Sequence, residues 1–293
     1  MRSLSRQLDN PETLLIHLGG LGDVCLSEST FLSLQEHFDD RLVGLGNTRF
    51  LKLFGKYFQR VERVESRQWL HLFSEKLMGP RWRRIIFIGK DREGRLRDRW
   101  QSFSKEAILF IDMYPDEAFA PAGPESINKR EISAQGTHVE DYQLTQLRKY
   151  GIEPLKKQPA RNRSPRIILY PEVGFTKEKW LPENFVVLLH TLRARGLDVI
   201  LLESPGLHVD ADNKIELEDL ADVKEFFREG GLFVSNDSGM AHLAGASGLF
   251  TITIFSGFEP GIWHPRGTNL SLKQGADPTD VDVIERKIIE RMG

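Results

Sequence analysis

The sequence predicts an α/β protein built from two Rossmann-like domains, each a parallel sheet covered by helices. Three observations carry this reading. Apolar runs of strand length alternate with segments of helical period along nearly the whole chain. The alternation breaks at IEPLKKQPARNRSP (152–165), a polar, basic stretch with three prolines that cannot bury apolar area, and then restarts. A length of 293 residues is also more than one hydrophobic core usually needs and suits two. The expected division is residues 1–155 and 156–293. Parallel strands joined by helices take right-handed crossovers and bury both faces of their sheet, and ligands sit at the strands' carboxyl ends. Two such sheets facing across a cleft are the expected architecture.

In chain order, TLLIHLG (13–19) reads as a buried strand and VCLSESTFLSLQEHF (24–38) as the amphipathic helix behind it. RLVGLG (41–46), RRIIFIG (83–89) and AILFIDMY (107–114) are further strands. Residues 121–137, rich in Pro, Gly, Ser and Asn, read as an irregular crossing loop. HVEDYQLTQLRKYG (138–151) reads as a helix ended by Gly151 as a C-terminal cap. After the proline-rich stretch come a strand at 166–171, a helix at 181–195, a strand at 197–203 and a helix at 218–229. A strand at 231–237, a helix at 239–247, a strand at 251–256 and a last helix at 278–292 complete the pattern.

The bulk numbers exclude several classes. A net charge of −2 argues against a nucleic-acid-binding protein, which usually carries a strong basic excess. The lone Cys25 has no partner for an internal disulfide and fits a reducing compartment. No apolar run opens the chain as a secretory signal would, and no window reaches membrane-spanning length. A cytoplasmic protein is the expectation. Asp210-x-Asp212 and Asp280-x-Asp282 imitate metal motifs but lack supporting ligands, so no metal is expected.

Two strand-to-helix turns carry the chemistry. Asn236-Asp237-Ser238-Gly239 ends an apolar run and opens a helix of small residues. Free amides at a helix start, with its dipole, suit a phosphate. Gly239 allows close backbone approach, Ser238 offers a hydroxyl, and His242 lies one turn on along the same face. The competing reading makes Asp237 or Ser238 a mere helix cap and His242 a satisfied, partly buried histidine. The other turn is LGGLGDV (18–24), where Gly19, Gly20 and Gly22 present Asp23 at the mouth of a sheet. Its spacing fails the dinucleotide fingerprint, having no third glycine, and the next strand ends Gly46-Asn47 without a ribose-binding acid. Asp23 is either a general base for a substrate hydroxyl or a helix-capping aspartate. Between the turns, Lys177 and Lys179 follow a strand end and could neutralise a diphosphate, with Trp180 anchoring the loop by burial.

These segments, in this order, resemble the family 9 glycosyltransferases, which include ADP-heptose:lipopolysaccharide heptosyltransferases. The resemblance rests on LLIHLGGLGDVCL, HVEDYQLTQLRKYGIEP, Pro171 to Trp180 with Phe185, VSNDSGMAHLAGASG and IFSGFEPGIWHPRG. It implies two Rossmann-like domains of GT-B type, an N-terminal one for the acceptor and a C-terminal one for the nucleotide sugar. It also implies inverting, metal-independent transfer without a cofactor. Asp23 would deprotonate the acceptor hydroxyl, and Asp237, Ser238, Gly239, Met240 and His242 would line the donor pocket. The implied partners are a nucleotide-sugar donor, ADP-heptose by analogy, and an anionic glycolipid or lipopolysaccharide-core acceptor, with peripheral contact at the inner membrane.

The chain departs from the family pattern at several places. Glu172 and Val173 replace a small Gly-Ala/Ser pair, Glu178 stands where a lysine is usual, and Ser29 where a proline is usual. A carboxylate about 4 Å from a diphosphate costs about 4 kcal/mol per charge pair at an effective dielectric near 20. A weakened relative that binds nucleotide or glycan without transfer is therefore the alternative reading. A sugar-nucleotide epimerase lacks its further acid–base residues, and a nicotinamide enzyme lacks the glycine and acid named above. Finally, PRWRRIIFIGKDREGRLRDRW (80–100) holds eight Arg or Lys against three acids, suited to an anionic acceptor or a membrane surface, or to a salt-bridged solvated face.

Overall fold

The computed structural model describes residues 9–39, 42–74, 77–116, 136–161, 164–171, 180–203 and 214–292. The chain divides into two compact units, one of Met1–Pro115 with Val139–Lys157, the other of Asp116–His138 with Gln158–Gly293.

Among the described residues, the first unit holds a five-stranded sheet. Its strands are β1 (Asp9–His17), β2 (Leu42–Gly46), β3 (Phe58–Arg63), β4 (Arg81–Ile88) and β5 (Ser104–Ile111), in the order β3-β2-β1-β4-β5. Every pairing is parallel. Leu14, Ile16, Val43, Leu45, Ile85, Phe87 and Phe110 meet Trp69, Trp82, Trp100 and Phe103 in one core. The expected helix over 24–38 is two, Leu21–Leu26 and Glu28–Phe38, divided at Ser27. The Val139–Leu147 helix ends in a 3₁₀ turn at Tyr150, and Gly151 caps it in the left-handed region at φ 71°.

That helix is joined to Glu28–Phe38 by buried polar groups rather than by apolar ridges. Ser29 donates to Glu140, and Thr30 donates to Gln143 Oε1 at 3.0 Å. The chain beyond it is tied to the same helix, since the Leu155 and Lys157 amides donate to Ser33 and Ser29. Ser29 thus has a structural task that a proline at that position could not perform, having no hydroxyl.

Among the described residues, the second unit holds six parallel strands: β6 (Ile167–Tyr170), β7 (Val199–Glu203), β8 (Lys214–Glu216), β9 (Leu232–Asn236), β10 (Phe250–Phe255) and β11 (Asn269–Lys273). Their order is β11-β10-β9-β6-β7-β8, the doubly wound order of a Rossmann sheet. Helices Pro182–Ala194 and Val281–Met292 cover its core of Ile, Leu and Val side chains. The Pro182–Ala194 helix opens with proline in its first turn, where the missing N–H costs nothing.

The alternation therefore yields the expected α/β class. The strands absent from the sequence reading, β3, β8 and β11, lie at sheet edges, with half-exposed patterns mixing charged and apolar residues. An edge strand is not buried on all sides and so lacks the continuous apolar run of an inner parallel strand.

Candidate active site

In a doubly wound sheet the strand order reverses at one point, and the carboxyl ends flanking that point leave a crevice open to ligands. In the first unit the reversal lies between β1 and β4, and in the second between β6 and β9. Each motif turn singled out from the sequence follows one of these strands.

In the first unit β1 ends at His17, and Gly19 and Gly20 lead into the helix that carries Gly22 and Asp23. The Gly20 N–H donates to Asp23 Oδ2 at 2.8 Å, so the carboxylate caps its own helix from the third position while staying partly exposed. Burial pushes the Asp23 pKa above its ordinary value, and the Gly20 hydrogen bond only partly offsets this. A side chain on Gly19 would lie 2.6 Å from Asp23 Cβ and 2.8 Å from Met113 Cε, so only glycine fits there.

Behind this turn is a hydrogen-bond chain that the sequence did not reveal. The Gly19 N–H donates to His17 Nδ1 at 3.3 Å, which leaves Nε2 to carry the proton toward Ser27 Oγ at 3.1 Å. Ser27 Oγ in turn donates to the Asp23 carbonyl at 2.8 Å. His17 is fully buried, and burial lowers its pKa to about 4, so the imidazole is neutral at pH 7. The chain grips the turn on both sides of Asp23 without placing a charge beneath it.

Gln143 and Gln146 support the turn from the other side. Their Nε2 groups donate to the Met113 and Asp112 carbonyls, each at 2.9 Å, and Gln146 Oε1 accepts from the Asp112 N–H. This sets Met113 against Gly19. Lys90, beyond the end of β4, is nearly buried and lies 3.8 Å from Asp112 and over the Tyr114 ring. Within the basic run it looked like one cation among eight. Its burial at the carboxyl end of a strand distinguishes it.

In the second unit, Asn236 is not a ligand-facing group. It is 1% exposed, accepts from the Trp180 N–H at 3.0 Å and donates to the Trp180 carbonyl at 3.1 Å. Trp180 is itself buried and donates through Nε1 to the Thr279 carbonyl, so it does anchor its segment. Lys177, Lys179, Glu172, Val173 and Glu178 lie outside the described residues, as do Asp210 and Asp212.

Ser238 is the N-cap of the Gly239–Ala246 helix, accepting from the Ala241 N–H at 3.3 Å. It satisfies one of the amides that a first turn leaves without a helical acceptor. Asp237, Ser238 and Gly239 stay partly exposed, whereas Met240 and the rest of the turn are buried. The small residues bring backbone close to backbone: a Cβ on Gly245 would lie 2.5 Å from the Arg266 carbonyl oxygen.

His242 is 5% exposed, and among the described residues its Nδ1 has no hydrogen-bond partner. Burial first, and the nearby His264 second, lower its pKa to about 4. A neutral ring 3.9 Å from Asp237 Oδ1 makes no ion pair. A buried ring nitrogen needs a hydrogen-bond partner, which an ordered water or a polar ligand group can equally provide. His264 stacks on His138 at 3.9 Å between ring centroids, and His138 Nε2 is 2.9 Å from the His264 carbonyl. Neither of these two histidines stood out in the sequence. Among the described residues no group of three or more side chains could hold a metal.

The fold, with a polar turn at each strand-order reversal, defines a GT-B type glycosyltransferase architecture. The glycosyltransferase family 9 (heptosyltransferase) model matches residues 129–280, just over half of the chain, and the protein belongs to that family. Solved structures agree in fold. A family 9 glycosyl transferase from Veillonella parvula superposes with a TM-score of 0.65 at 13% identity, covering 97% of this chain and 96% of its own. The E. coli heptosyltransferase WaaC with ADP gives 0.61 at 15% identity, with 96% and 100% covered. WaaC with ADP-2-deoxy-2-fluoro heptose gives 0.64 at 14%, with 96% and 99% covered. No curated protein sequence matches the chain.

Proposed function

We propose that this protein is an inverting glycosyltransferase that moves a heptose-like sugar from a nucleotide-diphosphate donor to a lipopolysaccharide-core or other cell-envelope acceptor. ADP-heptose is the donor we assign, in keeping with the ADP and ADP-sugar ligands of the similar WaaC structures. The reaction is placed in the cytoplasm, at the inner face of the cytoplasmic membrane.

The observation that carries the reading is Asp23: a partly buried carboxylate at a strand-order reversal, its pKa raised and its loop braced by neutral groups. A raised pKa makes a carboxylate a better proton acceptor near neutral pH. In the proposed mechanism Asp23 takes the proton from the acceptor hydroxyl as the oxygen attacks the anomeric carbon. The C–O bond to the diphosphate breaks on the opposite face, inverting the centre. Lys90, nearly buried beyond β4, is assigned to an anionic group of the acceptor.

On the donor side, Ser238 and Gly239 at the helix start are assigned to the diphosphate, whose leaving charge the amides and dipole stabilise. His242 Nδ1 supplies a polar contact to the nucleotide sugar, and Asp237 and Met240 line the same pocket. Lys177 and Lys179 remain assigned to the phosphates. The reaction as proposed uses no cofactor or metal.

The test is donor turnover with a panel of nucleotide sugars and lipopolysaccharide-core acceptors, comparing the protein with Asp23→Asn. A general base is worth about 10²- to 10⁴-fold, so transfer should fall by that factor while ADP affinity stays unchanged. Binding without turnover in both proteins would instead identify a chain that holds nucleotide or glycan without transferring sugar. Full activity in Asp23→Asn would remove Asp23 from the mechanism.

A further inference from the structure

The residue after β5 carries a carboxylate that the proposed mechanism does not use. Asp112 has its backbone clamped on both sides: its N–H donates to Gln146 Oε1 at 2.8 Å, and its carbonyl accepts from Gln146 Nε2 at 2.9 Å. Gln146 is itself buried. Because β5 is the outer strand of its sheet, this one amide takes the place of a neighbouring strand. The Asp112 side chain is held separately. Its Oδ2 accepts from the Tyr142 hydroxyl at 3.4 Å and lies 3.8 Å from Lys90 Nζ. Its Oδ1 has no partner among the described residues, and the side chain is 45% exposed. The register fixes where this happens. His17, Ile88 and Ile111 are partners across β1, β4 and β5, so the Asp23 turn, Lys90 and Asp112 all leave the sheet from one row.

What this carboxylate can hold follows from its neighbours. A carboxylate oxygen accepts hydrogen bonds and donates none. An anionic ligand group is repelled by it. A cation would meet the Lys90 charge at the same place, and among the described residues no group of three or more side chains could hold a metal. A neutral donor fits, and in the crevice assigned to the acceptor that donor is a sugar hydroxyl. An ordinary surface aspartate must give up rotamer freedom to bind one. Here the backbone clamp and the Tyr142 and Lys90 contacts have already removed that freedom, so the hydrogen bond is made at lower entropic cost.

We propose that Asp112 selects the acceptor: its Oδ1 accepts a hydrogen bond from an acceptor sugar hydroxyl other than the one that Asp23 deprotonates. Lys90 and Tyr142 hold the carboxylate in place. That hydroxyl is distinct from the anionic group assigned to Lys90, which must keep clear of the Asp112 charge. The assignment rests on the acceptor-side reading proposed above, and binding measured without a donor separates the two. The experiment is saturation-transfer NMR and titration of the full chain with no nucleotide sugar present. The probes are a deacylated lipopolysaccharide-core oligosaccharide and methyl glycosides of the core sugars, each with its monodeoxy derivatives.

The parent should bind the core oligosaccharide, and should bind one monodeoxy glycoside roughly tenfold to a hundredfold more weakly than its complete counterpart. Asp112→Ala should bind those two glycosides equally weakly, since the partner of the missing hydroxyl is gone. Asp112→Asn keeps a carbonyl oxygen without the charge and should fall between the two. Both variants should keep the thermal midpoint of the parent, because Gln146 grips the backbone rather than the side chain. A parent that binds none of these sugars would overturn the proposal. So would a preference among the monodeoxy glycosides that Asp112→Ala retains in full. Selectivity lost in Asp112→Ala, in a protein that turns over no donor, would keep Asp112 on the sugar and remove the transfer reaction instead.

Discussion

His17 shows how one side chain can matter through another. As a histidine at the end of an apolar strand it reads as an ordinary buried ring. The structure places it between the Gly19 amide and Ser27, holding the turn that presents Asp23. Ser27→Ala would leave the His17 Nε2–H buried without an acceptor, and should cost about 1–3 kcal/mol in urea unfolding. If the brace positions the base, the same change should lower kcat more than it alters donor KM. An unchanged kcat would show Ser27 to be structural only. Asp23 itself gives a prediction of opposite sense for stability. Its folded pKa is raised, so its ionised form opposes folding at neutral pH. Asp23→Asn should therefore keep or raise the thermal midpoint while removing transfer. On the donor side His242→Ala should weaken ADP binding in titration calorimetry, because it deletes a buried ring nitrogen that has no hydrogen-bond partner among the described residues. Unchanged affinity would move the donor elsewhere.

At the scale of elements, the inner strands were legible and the edges were not. TLLIHLG, RRIIFIG and TITIFS are rich in apolar residues because an inner parallel strand is covered on both faces. Lys214–Glu216, with Lys and Glu flanking one Ile, carries no such signal, yet it pairs with β7 at the edge. The Gly239–Ala246 helix was recognisable from its small residues, but their tight contact is with the Pro265–Arg266 backbone as well as the sheet. Gly245→Val would press side chain into a carbonyl oxygen, and overpacking of this kind should cost about 1–3 kcal/mol. Denaturant unfolding should show that loss, and an unchanged midpoint would mean that the 265–267 segment yields freely. The Val139–Leu147 helix carries the opposite lesson. Glu140, Gln143 and Gln146 look like a solvated face but are buried, because Ser29, Thr30 and the 112–113 backbone supply their partners.

For the molecule as a whole, pH is the simplest probe. His17 in one unit and His242 in the other both have folded pKa values near 4, against 6.5 for an ordinary histidine. Between those values the unfolded chain binds more protons than the folded one, so stability falls as pH drops through this window. Each ring should contribute a loss of about 3 kcal/mol by pH 4. His17→Asn and His242→Asn should each flatten the fall of unfolding free energy below pH 6.5, as measured in urea. An equally steep profile in both variants would assign the acid sensitivity to other groups.

What the sequence determined by itself was periodic or local: the alternation that makes two parallel sheets, the glycine-rich turn before Asp23, and the Ser238 cap with its small-residue helix. Each depends on residues within a few positions of one another, so a linear reading can register it. What only the tertiary structure decided depends on residues far apart in the chain that meet when the sheets form. The Asn236–Trp180 clasp and the buried glutamines under Met113 are of this kind. A polar side chain has the same spelling whether it faces water or a buried partner, and only packing tells the two apart.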